Sequence, residues 1–141
     1  MGRVLALDYG RRRIGAAISD NLGFLAHGLP TLHVRNKDHA VAEVVDLIEK
    51  QRPDHVVVGL PLNLDGSPSD MAEVVLEFVE RIREVVDLSI DTLDERLTSV
   101  AAKRTMRELG LKRKGHKGTV DRLAATYLLE IYLQQQSTKG A

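Results

Sequence analysis

The segment His55-Val56-Val57-Val58-Gly59 constrains the fold more than any other stretch of this chain. It is continuous, apolar and β-branched, with no polar alternation. A strand of that kind must be covered on both faces, as the interior strands of parallel and mixed sheets are. Helices therefore have to flank the sheet on either side. The neighbouring sequence supplies what such a sheet needs. Residues 3–8 form a second short apolar run, and 14–19 a third, built from small residues. A weaker strand is predicted over Gly28–Val34, where Pro30 restricts it to an edge or a bulge. Turn chemistry at Tyr9-Gly10 and at Asp20-Asn21-Leu22-Gly23 joins the first three strands into an antiparallel meander.

Helical periodicity begins after this meander. Ala40, Val41, Val44, Val45, Leu47 and Ile48 share one face, with Asp38 as the expected cap and Arg52-Pro53-Asp54 as the stop. Residues 70–86 place Met71, Val74, Val75, Phe78, Val79, Ile82, Val85 and Val86 inward. A strand follows over Leu88–Leu93, then a helix from Thr98 or Ser99 to about Leu109. Thr119 is expected to cap the last helix, with Val120, Leu123, Ala124, Tyr127, Leu128 and Ile131 on its packed face. The polar stretch from Gln134 is expected to fray, leaving one domain over 1–135 and a flexible tail over 136–141. The predicted architecture is a mixed five-stranded α/β sheet, three strands in a meander and two joined by crossovers, with helices on its faces.

The chain has 141 residues, no cysteine and equal numbers of basic and acidic side chains, 20 of each. The length suits one domain with a real core. Without cysteine there is no disulfide scaffold and no thiolate metal site, which fits a reducing, cytoplasmic setting. No apolar run reaches the roughly 20 residues of a membrane span, so no membrane partner is expected. The N-terminus does not read as a signal peptide, and Ala6 stands where a myristoylation motif calls for Ser or Thr.

Neutrality conceals a segregation of charge. Ten acidic residues face two basic ones from Asp65 to Glu95, whereas seven Lys and Arg accompany one Glu from Lys103 to Lys117. Residues 1–13 hold Arg3, Arg11, Arg12 and Arg13 against Asp8. The glycine-bounded run Leu111-Lys112-Arg113-Lys114-Gly115-His116-Lys117-Gly118 is the clearest polyanion feature, since each cation can neutralise a phosphate. By composition alone it is equally a solvated loop. It contains no aromatic residue, which points to backbone and shape recognition and away from base stacking on an aromatic platform.

Three carboxylates attract attention. Asp8 ends the first strand, Glu95 follows the Leu88–Leu93 strand within Asp94-Glu95-Arg96, and Asp121 opens the last helix beside the basic run. Strand carboxyl ends are where such sheets build sites. Taken singly, each has a plain structural account: a turn-initiating Asp, a solvated acidic turn paired to Arg96, and a first-turn Asp favoured by the helix dipole. Taken together they form a hard-oxygen set suited to Mg²⁺ or Mn²⁺ and to phosphodiester cleavage. Asn63, in the loop Gly59-Leu60-Pro61-Leu62-Asn63-Leu64-Asp65-Gly66, is either a substrate contact or a turn former.

The blocks Leu7-Asp8-Tyr9-Gly10 with Arg13-Ile14-Gly15, Val58-Gly59-Leu60-Pro61-Leu62-Asn63-Leu64-Asp65-Gly66, Asp94-Glu95-Arg96-Leu97-Thr98 and Asp121-Arg122-Leu123-Ala124-Ala125, in this order, resemble the YqgF family, also called RuvX. That resemblance runs from about residue 3 to 133. It implies an RNase H-like fold and a metal-dependent nuclease acting on Holliday junctions or on the precursor of small-subunit ribosomal RNA. It also implies that Asp8, Glu95 and Asp121 are the catalytic, metal-binding carboxylates. Arg11, Arg12, Arg13, Asn63, Arg96, Lys112, Arg113, Lys114 and Lys117 would then meet the nucleic acid. A homodimer would follow if the substrate is a junction, which needs two active sites. The alternatives are a non-catalytic nucleic-acid adaptor and a nucleotide-binding domain of the actin-like ATPase type.

Overall fold

A computed structural model gives the architecture, and it describes residues 2–96 and 117–139, with side chains at 117–121 and 138–139 set aside. The elements run β1 (Val4–Tyr9), β2 (Arg13–Ser19), β3 (Ala26–His33), α1 (Lys37–Gln51), β4 (His55–Leu60), α2 (Asp70–Val85), β5 (Ser89–Asp94) and α3 (Lys117–Lys139). The five strands form one sheet in the order β3-β2-β1-β4-β5. β1–β2 and β2–β3 are antiparallel, whereas β4 runs parallel to both β1 and β5. This is the mixed sheet expected from the sequence. The expected helix over 98–109 and the loop residues 110–116 lie outside the described residues.

The alternation of side chains along each strand divides the core into two layers. Leu5, Leu7, Tyr9, Ile14, Ala16, Ile18, Val56, Val58 and Ile90 face α1 and α2. There they meet Ala40, Val44 and Ile48 of α1 and Val75, Phe78, Val79 and Ile82 of α2, and the Tyr9 ring packs on Phe78 with centroids 4.6 Å apart. The opposite face carries Val4, Ala6, Ala17 and Val57 against Ala125, Leu128, Leu129, Tyr132 and Leu133 of α3. Small residues on that face let the helix lie close, and Gly28 of β3 is overlain by the Arg122 stem, whose Cγ is 2.5 Å from where a Cβ would stand. Pro30 does lie on the edge strand, and the β2–β3 register shifts beside it, between Ile14 and Ala16.

Several local expectations shift. Asn36, not Asp38, caps α1, its Oδ1 accepting from the His39 N–H at 2.8 Å. Asp38 instead pairs with Arg81 of α2 at 2.8 Å. Val85 at the end of α2 is exposed rather than inward. The buried stripe of α3 is displaced by about one residue from the expected one, sharing only Leu128 with it. Both stripes satisfy the helical period, and the sheet selects the one that presents Ala125 to its small-residue face. The helix begins at Lys117 and so precedes Thr119, and its first turn contains no acidic residue. The dipole account of Asp121 therefore weakens, because that effect fades beyond the first turn. Residues 136–139, expected to belong to a flexible tail, continue α3 as helix. Gln is a good helix former, and three of them carry the helix on from Leu133.

Candidate active site

Asp8 sits near the carboxyl end of β1, the middle strand of the sheet. By alternation it shares the α3 side with Val4 and Ala6. Its partner across β2 is Gly15, and on the β4 side the ladder continues past the Leu7–Val58 pair towards Gly59. The carboxylate is thus flanked by two residues that have no side chain.

The segment closing β5 turns its two adjacent acids in opposite directions. Asp94 is gripped by Arg96, with Nε 3.0 and 2.8 Å from its two carboxylate oxygens and Nη2 2.5 Å from Oδ2. The Arg96 hydrogen bonds hold the Asp94 carboxyl below the usual range. Glu95 goes the other way. Its N–H donates to the Leu60 carbonyl at 3.2 Å, and its carboxylate lies over Gly59. A Cβ at Gly59 would overlap Glu95 Oε2 and stand 3.3 Å from Leu128 Cδ2. Glycine is required there because the site occupies the space of its side chain.

In that position Glu95 hydrogen-bonds Asp8. Burial first, then the charge and hydrogen bond of Asp8, then the charge of Asp94, push the Glu95 carboxyl up to about 9. Two carboxylates brought together away from bulk water cannot both stay ionised without a cation. Among the described residues no cluster of three metal-binding side chains is complete. Asp8 and Glu95 are nevertheless a hard-oxygen pair, and this donor set fits a hard divalent ion. The third acid, Asp121, belongs to the early turns of α3, and its side chain lies outside the described residues.

The other expected site residues fall into separate groups. Arg11 and Arg12 lie exposed in the β1–β2 turn, with the Arg12 carbonyl accepting from Val34 N–H at 2.9 Å, and Arg13 starts β2 on the Gly15 side. Asn63 is used by its own loop, its Nδ2 donating to Ser67 Oγ at 3.0 Å and to the Pro68 carbonyl at 3.4 Å. Arg96 joins that loop to β5, its Nη1 donating to the Leu64 carbonyl at 3.1 Å. Lys112, Arg113 and Lys114 lie outside the described residues, and Lys117 begins α3. Sequence reasoning singled out neither Gly59, whose role depends on a residue 36 positions later, nor Leu64.

A family model described as "RuvX: Holliday junction resolvase" matches residues 2–135. A protein of Clostridium acetobutylicum named pre-16S rRNA nuclease is 44% identical over 131 residues, covering 93% of this chain and 97% of that one. One of Clostridium botulinum strain Hall with the same name is 44% identical over 135 residues, covering 96% and 98%. Among solved structures, Thermus thermophilus RuvC in complex with a Holliday junction substrate superposes with a TM-score of 0.63 at 16% identity, covering 98% of this chain and 97% of that one. The fowlpox virus resolvase with its junction DNA superposes at 0.56 and 11% identity, covering 95% and 98%. These two likenesses show the RNase H-like fold. No helix among the described residues is long and apolar enough to cross a membrane.

Proposed function

The chain belongs to the RuvX family and is a nuclease; from that premise we propose that it hydrolyses phosphodiester bonds in structured RNA, trimming the precursor of small-subunit ribosomal RNA in the cytoplasm. The observation that carries this reading is the meeting of Asp8 and Glu95 over Gly59 at the carboxyl end of the sheet. The choice of RNA rests on the relatives that are 44% identical over almost their whole length. A second reading, cleavage of four-way DNA junctions by a homodimer, is favoured by the description of the family model.

Asp8 and Glu95, joined by Asp121 from α3, would hold Mg²⁺ or Mn²⁺. Bound there, such ions supply charge stabilisation to the attacking and leaving oxygens of an in-line displacement. The protein's share is positional. The ladders on both sides of β1 fix the Asp8 backbone. Glu95 is held by its N–H bond to Leu60 and would offer its carboxylate, deprotonated, to a cation. Arg96 neutralises Asp94, which would leave Asp8 and Glu95 to meet a cation. Arg11, Arg12 and Arg13 on one side, and Lys112, Arg113, Lys114 and Lys117 on the other, would take flanking phosphates, making affinity salt-dependent.

The test is a parallel cleavage assay on a structured RNA and a four-way DNA junction, with Mg²⁺ or Mn²⁺, using wild type and Asp8→Asn. Metal-dependent cutting of the RNA that vanishes in the variant supports the first reading, and cutting of the junction alone supports the second. Binding that persists in chelator without any cutting would establish the adaptor instead.

A further inference from the structure

The loop over 61–68 is built to hold one shape. Leu62 and Pro68 bridge across it, Asn63 N–H donates to the Ser67 carbonyl at 2.8 Å, and Gly66 N–H donates to the Asn63 carbonyl at 2.8 Å. Asp65 Oδ1 accepts from Ser67 N–H at 2.9 Å and from its hydroxyl at 2.6 Å. Gly66 takes φ +89°, a conformation that suits glycine. The Ser69 hydroxyl closes the base of the loop on the Pro61 carbonyl. Arg96, the residue that follows Glu95, then ties down the loop's tip through the Leu64 carbonyl.

All of this presents a leucine to water. Leu64 is 95% exposed, more than any other large hydrophobic residue described. Of the other exposed large hydrophobics described, Leu76 and Val85 lie on α2, and Leu22, Phe24 and Leu25 follow β2 at the far end of the sheet, where Ile18 pairs with Leu5 near the start of β1. Among the exposed large hydrophobics described, Leu64 is the one tied through Arg96 to the segment that carries Glu95. The nearby amide that could read a base, Asn63, is engaged within the loop.

We propose that Leu64 is a wedge that enters the base stack beside the scissile phosphate and holds the strand open over Asp8 and Glu95. This rests on the nuclease reading above. Apolar side chains of this kind part base steps in other complexes, at an unstacking cost that contacts to the opened strand repay. A loop already rigid loses little freedom on binding, so the wedge needs no folding step of its own. The chemistry recognised is a stacked nucleobase, present in RNA and DNA alike.

The experiment uses two arms, an RNA stem and a four-way DNA junction, each made fully paired or with an unpaired base at the cleavage position. 2-Aminopurine at that position reports unstacking when Asp8→Asn protein binds. In the arm that wild type cuts, Leu64→Ala is expected to lose about tenfold in cleavage of the paired substrate, to stay within about twofold of wild type on the unpaired one, and to abolish the fluorescence rise. Leu64→Phe should restore both. A response in one arm names the polymer that Leu64 opens. Equal cutting of the paired substrate by wild type and Leu64→Ala, or an equal loss on paired and unpaired substrates, overturns the proposal. If wild type cuts neither polymer, the nuclease reading itself falls.

Discussion

The two faces of the sheet obey different rules. The face towards α1 and α2 is filled with Leu5, Leu7, Ile14, Val56 and Val58, branched side chains that interlock with Val44, Val75 and Ile82. The face towards α3 is lined by Ala6, Ala17 and Val57, with Gly15, Gly28 and Gly59 on neighbouring positions, and it carries the acids. The first face maximises buried apolar volume. The second gives up volume so that a helix lies close and two carboxylates fit beneath it. On the proposed reading, chemistry belongs to the α3 side of the five strands, and the larger of the two cores to the other side.

Asp8→Asn should have the largest effect on chemistry, lowering cleavage at least about a thousandfold while leaving the melting temperature near that of wild type. A matched loss of both would break the division between faces. Gly59→Ala comes next. Its methyl group falls where the Glu95 carboxylate lies, and displacing a catalytic group by an ångström costs roughly a hundredfold in rate. The partner experiment on the other face is Leu7→Ala. It should cost about 2–5 kcal/mol of stability in urea titrations, with the specific activity of the folded fraction unchanged.

Glu95→Gln tests the carboxylate pair through pH. Folded protein without divalent ions keeps the Glu95 proton up to about pH 9, whereas an unfolded chain releases it near its ordinary value of 4.5. The folded state therefore binds more protons across that window, and wild-type stability falls as pH rises through it. Melting curves in chelator should show that slope in wild type and a shallower one in Glu95→Gln. Added Mg²⁺ should stabilise wild type most at the alkaline end, where no proton competes.

The smallest effect belongs to Tyr132→Phe. The Tyr132 hydroxyl donates to Asp91 at 2.8 Å, and burial followed by that bond raises its pKa to about 12. Its contribution, about 1 kcal/mol, is complete below pH 10 and disappears as pH climbs through 12. The variant should be less stable at neutral pH, with the gap to wild type closing in alkaline melts.

The elements that the sequence specified were those whose cause is local. The β-branched run became β4, and Pro30 marked the edge strand. What escaped was set across the chain. Asn36 and Asp38 are equally good caps, and only Arg81 of α2 decides which one is left for an ion pair. The last helix has two overlapping apolar stripes, and the sheet chooses between them. In the site, Asp8 and Glu95 were visible as acids at strand ends, and the family motifs supplied their roles. Their hydrogen bond was not visible, because it depends on Arg96 taking Asp94 and on Gly59 lacking a side chain. Leu64 went unnoticed because a leucine between turn residues gives no hint of whether it faces core or water.

The placement of Asp8 on the middle strand has a consequence for motion. Its backbone is bounded on one side by an antiparallel ladder and on the other by a parallel one, so shifting it means breaking both. Among the described residues α3 packs on the sheet through side chains, with the Tyr132 hydroxyl bonded to Asp91 of β5. Displacing α3 therefore costs packing, whereas displacing β1 costs two ladders of hydrogen bonds.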